Sequence, residues 1–327
     1  MTDQTTKTSS RFRFVANIVA PFLGLLLVIL IFSLVPEVQD RFLRAGNFKS
    51  VATQSVIVAL AALGMTFVII SGGIDLSVAS NIALSSCIVA FIINAGLPPW
   101  LGVLGGMLTG SAIGLINGSL ITSLRLVPFI ITLGMLGIAR GAAKWLAENQ
   151  KIDAPITWVN DLMARSPQPP WLLMAPGIWL MILLAAAMAV VLRFTMFGRH
   201  VFAIGSNEAA ARLCGIRTRR TKVIIYGLAG LFCGMSGVMQ FSRLTVGDPT
   251  VAVGLELDII AAVVIGGGSL SGGQGSILGS MIGVFIMAFL RNGSTMMGWP
   301  NYIQEIIIGF IIIVAVSLDQ IRYRRET

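Results

Sequence analysis

Residues 52–95 read ATQSVIVALAALGMTFVIISGGIDLSVASNIALSSCIVAFIINA. Two apolar runs, 52–70 and 77–95, meet at the short junction Ser71-Gly72-Gly73-Ile74-Asp75-Leu76. Each run has the length that carries an α-helix across about 30 Å of hydrocarbon. Glycine at the junction permits a sharp turn, because it has no Cβ to oppose a left-handed backbone. A break of this kind at membrane depth is tolerated only where protein or a wet cavity covers the freed backbone groups. The stretch therefore reads as helix, glycine turn, helix.

Outward from it the same pattern recurs. Apolar runs lie near 15–35, 101–123, 127–147, 172–192, 223–241, 257–270, 276–290 and 302–318, of which 257–270 and 276–290 are short and glycine-rich. With the first two, this predicts an all-α integral membrane protein of about ten transmembrane helices. Composition agrees: 56% of the 327 residues are hydrophobic, only 11% are charged, and the mean hydropathy is +0.88. A soluble domain carries about 25% charged residues, so a soluble enzyme and a disordered chain are both excluded. The first run follows Lys7, Arg11 and Arg13 without a small-residue cleavage site, and reads as a retained helix rather than a signal peptide. Residues 1–327 read as a single transmembrane domain.

The net charge of +9 is a topology signal rather than a nucleic-acid footprint. With the N-terminus inside, the cytoplasmic segments hold Lys7, Arg11, Arg13 and Arg125. They also hold Arg193, Arg199, Arg212, Arg217, Arg219, Arg220 and Lys222 of the 193–222 loop, and Arg322, Arg324 and Arg325. Residues 148–170 then form an outside loop, and 1–14 and 319–327 are cytoplasmic tails. Arg140 and Lys144, one turn apart, are expected to snorkel to the headgroups.

Catalytic chemistry is missing. The chain has no G-x-x-x-x-G-K-[ST], H-E-x-x-H or G-x-S-x-G, and His200 is its only histidine. The glycines of 266–275 are followed by no lysine, so they do not read as a phosphate loop. Cys87, Cys214 and Cys233 lack metal-ligand spacing and read as small buried hydrophobes, Cys87 and Cys233 lying inside apolar runs. No cofactor, metal or nucleic acid is expected; the chain moves something or holds something.

Intramembrane acids are costly and need a reason. Asp75 lies in the first glycine junction, and Glu256 and Asp258 open the eighth run. Each reads either as a helix cap complementing the dipole or as a transport residue. Neutral polar residues recur along the spans, among them Gln54, Thr66, Asn81, Ser85, Thr109, Asn117, Thr132, Gln240 and Asn292. Amides and hydroxyls of this kind suit a polyhydroxylated neutral solute. The stretch 263–281 (VVIGGGSLSGGQGSILGSM) resembles 68–86 when one residue is dropped after the glycine pair, a weak internal repeat of the sort transporters carry. Candidate pathway residues are thus Thr66, Gly72, Gly73, Asp75, Asn81, Asn117, Thr132, Glu256, Asp258, Gly267 and Asn292.

The inside loop reads FGRHVFAIGSNEAAARLCGIRTRR over 197–220. Asn207 is placed to cap a short helix over Glu208–Leu213, ended by Gly215, which suits docking into a partner's groove. At these residues the chain resembles the membrane permeases of ribose-type ATP-binding-cassette sugar importers, over nearly its whole length. The resemblance rests on Gly64-Met65-Thr66 leading into Ser71-Gly72-Gly73-Ile74-Asp75-Leu76-Ser77, on Pro128-Phe129-Ile130 with Thr132-Leu133, and on Arg140-Gly141. It continues through Ala203-Ile204-Gly205, Asn207-Glu208-Ala209-Ala210 and Gly215 to Glu256-Leu257-Asp258 and the glycines of 266–275. Ser206 and Ala79 stand where the family usually has glycine.

The resemblance implies a homodimer of ten-helix subunits in the bacterial inner membrane, with both termini cytoplasmic and a substrate route at the dimer axis. It implies a cytoplasmic ABC ATPase subunit, engaged through Ala203, Gly205, Asn207, Glu208, Ala209 and Gly215. A periplasmic sugar-binding protein would deliver a small-molecule sugar, and lipid would surround the whole. Two alternatives stay open at this point: a related permease for branched-chain amino acids or nucleosides, and an ion-coupled secondary transporter working alone through Asp75, Glu256 or Asp258.

Overall fold

The computed structural model describes residues 21–167 and 169–324. The tail 1–14, the beginning of the 15–35 run and Arg325 lie outside the described residues. Helices dominate: α1 (Pro21–Ser33), α2 (Gln39–Phe42), α3 (Ala45–Ile70), α4 (Val78–Asn94), α5 (Pro99–Leu124), α6 (Pro128–Leu146), α7 (Trp158–Asp161), α8 (Pro176–Phe194), α9 (Met196–Ser206), α10 (Glu208–Leu213), α11 (Thr218–Leu244), α12 (Leu255–Ile265), α13 (Ile277–Met296) and α14 (Asn301–Arg324). Six of these, α3, α5, α6, α8, α11 and α13, are long and apolar enough to cross a membrane; α1, α4 and the apolar part of α14 are shorter. The 11-residue α12 falls short of a span. An all-α membrane architecture is borne out; among the described residues six helices meet the length and composition of a span, and the expected count of about ten is not established by these criteria.

The centre of the fold is α3. Its apolar residues run all round the helix, and such a helix must be buried on every side. In its most apolar window 89% of residues are inside the protein, against 22% for both α6 and α8. The latter two turn Leu133, Ile138, Ile182 and Leu183 outward, as a lipid-facing helix does.

Glycine sets the tightest contact. Gly110 and Gly114 of α5 face Gly230 and the Tyr226 backbone of α11 so closely that a Cβ at Gly114 would collide with the Tyr226 carbonyl. Spacing of four places these small residues on one helix face, so the backbones approach without a side chain between them.

Both glycine junctions close in the same way. After α3, the amides of Ser71, Gly72 and Gly73 donate to the carbonyls of Phe67, Ile69 and Val68 at 3.1, 2.9 and 3.0 Å. After α12, the amides of Gly266, Gly267 and Gly268 donate to Ala262, Val264 and Val263 at 3.0, 2.9 and 2.9 Å. Gly72 and Gly267 both have left-handed backbones, φ +78° and +93°. This double bond pattern with a left-handed glycine is the Schellman termination. Residues 68–73 and 263–268 thus superpose bond for bond, as the repeat predicted. Beyond them the register differs. The following helices have N-caps Ser77 and Ser276, so the second turn is four residues longer, not one shorter.

At the opposite end, a two-residue antiparallel pairing joins β1 (Ile152–Asp153) to β2 (Val246–Gly247). It fastens the 148–170 loop over the ends of α4 and α11. Nothing in the sequence pattern pointed to these strands, which are too short to show alternation.

Candidate functional site

The polar residues singled out by sequence fall into two groups, one at each end of the bundle. The larger group surrounds the glycine turns. Asp75, 2% exposed, accepts hydrogen bonds at Oδ1 from the Ser77 amide at 2.8 Å and the Ser77 hydroxyl at 2.6 Å. The Asn117 amide of α5 donates to Ser77 Oγ at 2.9 Å. Thr132 of α6 donates to the Ile74 carbonyl at 3.3 Å and to Pro128 O at 3.1 Å. A carboxylate two residues before the N-cap thus folds the turn that launches α4 and ties it to α5 and α6. Asp75 is therefore not itself the helix cap; that position is Ser77, which makes no side-chain cap bond.

Two buried atoms in this group have no partner among the described residues: Asn117 Oδ1 and the Tyr226 hydroxyl. Tyr226, on α11, lies against Gly73, where a Cβ would sit 2.5 Å from its oxygen. Gly72 and Gly267, in contrast, face open space. Thr66, fully buried, donates from Oγ1 to Ala62 O at 2.6 Å, and the same oxygen lies at hydrogen-bond distance, 2.7 Å, from Ser280 Oγ of α13. Asn81 donates to Gly110 O at 3.3 Å and accepts from Ser85 at 3.3 Å, tying α4 to α5. Within one chain these neutral groups are spent on inter-helix ties rather than turned toward a lumen.

The remaining three lie at the other end. Asn292 of α13 and Asn47 of α3 exchange two amide hydrogen bonds, both 3.0 Å. Asp258 is 3% exposed and paired with Arg291 of α13 at 2.6 Å. Glu256 and Asp258 lie in the first turn of α12 and complement its dipole, yet neither caps it: the N-cap is Gly254, with no side-chain bond. Glu256 Oε2 is buried without a partner among the described residues. Arg140 corrects the snorkelling expectation. Its Nη1 turns inward and donates to the carbonyls of Pro249 and Val251 at 2.7 and 2.8 Å, which pins the loop between β2 and α12. In that loop Asp248 accepts from the Thr250 amide at 2.8 Å and hydroxyl at 2.6 Å, and pairs with Lys151 at 3.5 Å. Burial opposes its ionisation, but the Thr250 bonds and Lys151 outweigh it and hold its carboxyl below the usual range.

The 193–222 segment folds as two helices. The predicted short one is present: Asn207 Oδ1 accepts from the Ala210 amide at 2.9 Å, α10 spans Glu208–Leu213, and Gly215 follows at φ +83°. Sequence reasoning missed α9, capped by Thr195, whose side chain accepts from the Gly198 amide at 3.2 Å. The signal was there in Thr195 three residues before Gly198, but the polar composition of the loop hid it. Glu208 ties α10 to α11 through Lys222 at 2.6 Å, with Arg212 at 3.9 Å. Ala209, Ala210 and Leu213 face outward, Leu213 with 90% of its surface exposed. Ala203 lies half-buried on α9, two residues before the point where that helix meets the core.

That point is Gly205. A Cβ there would collide with the Ile70 carbonyl and lie 2.5 Å from the Gly273 amide. The Gly273 amide in turn donates to Ile70 O at 2.8 Å. Gly272, at φ +85°, faces the Gly205 carbonyl, 2.6 Å from where its own Cβ would be. The end of α9 is thus wedged between the two glycine turns, backbone against backbone. No group of acids, cysteines and histidine fit to hold a metal occurs among the described residues.

Comparison with known proteins follows the same lines. A family model described as branched-chain amino acid transport system / permease component matches residues 47–316. The ribose import permease of Bacillus subtilis is 39% identical over 317 residues, covering 97% of each chain. The ribose import permease of Escherichia coli K12 is 34% identical over 296 residues, 90% of this chain and 92% of the relative. The L-arabinose ABC transporter permease of Azospirillum brasilense is 36% identical over 304 residues, 93% and 88% respectively. No solved structure matches.

Proposed function

The chain belongs to the permease-component family of ATP-binding-cassette importers, and from that premise we propose that it forms the membrane path of a sugar importer. The family description names amino acids, but the relatives that align over nearly their whole length carry names of ribose and arabinose permeases.

In this reading two subunits associate around the substrate route in the bacterial inner membrane. Each contributes ten membrane-inserted helices, α1, α3–α6, α8 and α11–α14, as a single domain with both termini cytoplasmic. The glycine-turn end faces the cytoplasm and the β1–β2 end the periplasm. A sugar-loaded binding protein docks on the β1–β2 end, where 148–170 is fastened. A separate ATPase subunit takes the exposed Ala209–Leu213 face of α10, with Asn207 and Gly215 fixing its ends. ATP hydrolysis takes place on that subunit.

The observation that carries the mechanism is the Gly205 wedge. A push on α10 is relayed by α9, with Ala203 on its half-buried side, to a backbone contact shared by both glycine turns. Those turns begin α4 and α13, and α3, α12 and α13 pack on one another. Gly72, Gly73 and Gly267 let the turns pivot, while Asp75, Asn117 and Thr132 hold each end state together. Asn292, Glu256 and Asp258 brace the far end, so motion is concentrated at the cytoplasmic mouth. A sugar shifts this equilibrium only by its differential affinity for the two states. Gly205→Val forces α9 off Ile70 and Gly272. The expected result is an assembled complex whose ATPase no longer responds to loaded binding protein; normal stimulation in Gly205→Val would remove α9 from the relay.

A further inference from the structure

Between α5 and α11, at the glycine-turn end, a surface groove of about 500 Å³ is lined by Ser119, Thr122, Arg219, Arg220, Val223 and Ile224. We propose that this groove binds the phosphodiester headgroup of an anionic phospholipid. The assignment concerns a lipid site and stands independently of the transported solute.

Charge is the first argument. Arg219 is held over the groove by a bond from Nη2 to Ser123 Oγ of 2.8 Å, which leaves its other donors free to point elsewhere. Arg220 has no hydrogen-bond or ion-pair partner among the described residues. The first turn of α11 contains no acid, and Glu208, the nearest acid in sequence, is already engaged by Lys222. Two guanidinium groups lining one groove without a counter-ion among the described residues are matched by phosphate oxygens, which accept their paired N–H groups in a fork geometry. The Ser119 hydroxyl, exposed and without a partner among the described residues, supplies a further neutral donor.

Shape is the second argument, and it separates a lipid from a free anion. Apolar side chains line the groove beside the arginines: Val223 and the 54% exposed Ile224 on α11; Leu120 and Leu124 of α5 are also exposed. Both helices are membrane spans, and this is where they end. A free phosphate needs the cations only. A phospholipid uses both halves, with its headgroup on the arginines and its acyl chains along the apolar wall.

The test uses the full chain in lipid nanodiscs with spin-labelled phosphatidylglycerol or phosphatidylcholine as probe. The account expects a motionally restricted phosphatidylglycerol population, selected several-fold over phosphatidylcholine. Removal of one arginine near an anionic headgroup corresponds to about a fivefold loss. Arg219→Gln/Arg220→Gln should therefore abolish the selectivity, whereas Arg199→Gln/Arg212→Gln, outside the groove, should preserve it. Ser119→Glu, which places a carboxylate in the groove and leaves both arginines intact, should abolish it as well and guards against misfolding of the double variant. Three results would overturn the proposal: selectivity unchanged in the groove variants, equal displacement by millimolar inorganic phosphate (a free-anion site), or loss of ATPase-subunit association with lipid selectivity intact (a protein contact).

Discussion

Asp75 shows how much one buried carboxylate organises. It holds the Ser77 amide and hydroxyl, and through Ser77 it reaches Asn117 on another helix. An amide keeps an acceptor oxygen at that place, whereas a leucine leaves buried donors unsatisfied at about 1–3 kcal/mol each. Asp75→Leu should lower the detergent-solubilised melting temperature well beyond the effect of Asp75→Asn; equal losses would mean that the turn does not depend on the oxygen. Tyr226 gives the opposite expectation. Its hydroxyl is buried without a partner among the described residues, so it carries a desolvation cost and returns no bond. Tyr226→Phe should be neutral or slightly stabilising in the same melting assay, and a clear loss of stability would show that the hydroxyl has a partner. Sequence placed Asp75 in the right junction but left its role open between cap and transport. A carboxylate just before a helix can serve the cap or the preceding turn, and only the geometry separates the two.

At the scale of elements, the helices and the glycine turns were legible because their signals are local: run length, periodicity and glycine at fixed offsets. The Gly72 and Gly267 turns were found this way, and so was the short helix from Asn207. What was not legible arises between distant segments. The β1–β2 pairing brings residues 152 and 247 together, and the inward turn of Arg140 depends on carbonyls at 249 and 251. The four-residue difference between the two turns depends on Gly272 and Gly273 meeting Gly205. The loop that joins β2 to α12 also has a titration signature. Asp248 has a depressed folded-state pKa, so it contributes stability above the unfolded carboxylate range, which is lost as pH falls through the folded value. Asp248→Asn should therefore be less stable than the parent by a constant margin at pH 6–8, and the margin should close below about pH 4. A margin independent of pH down to acid would assign the effect to packing instead.

For the whole molecule, the two ends divide the work. One end is stapled by β1–β2, by the Asn47–Asn292 amide pair and by the Asp258–Arg291 ion pair. The other is built from glycine turns that meet α9 backbone to backbone. In the proposed reading, a stapled end opposite an end built of glycine turns suits a gate driven from outside the membrane domain. The most direct measurement is sugar uptake into proteoliposomes that contain the chain with or without its ATPase subunit, ATP and loaded binding protein. Accumulation should occur only when all three are supplied, with no response to an imposed proton or sodium gradient. Concentrative uptake by this chain by itself, or uptake that follows such a gradient without ATP, would contradict the account.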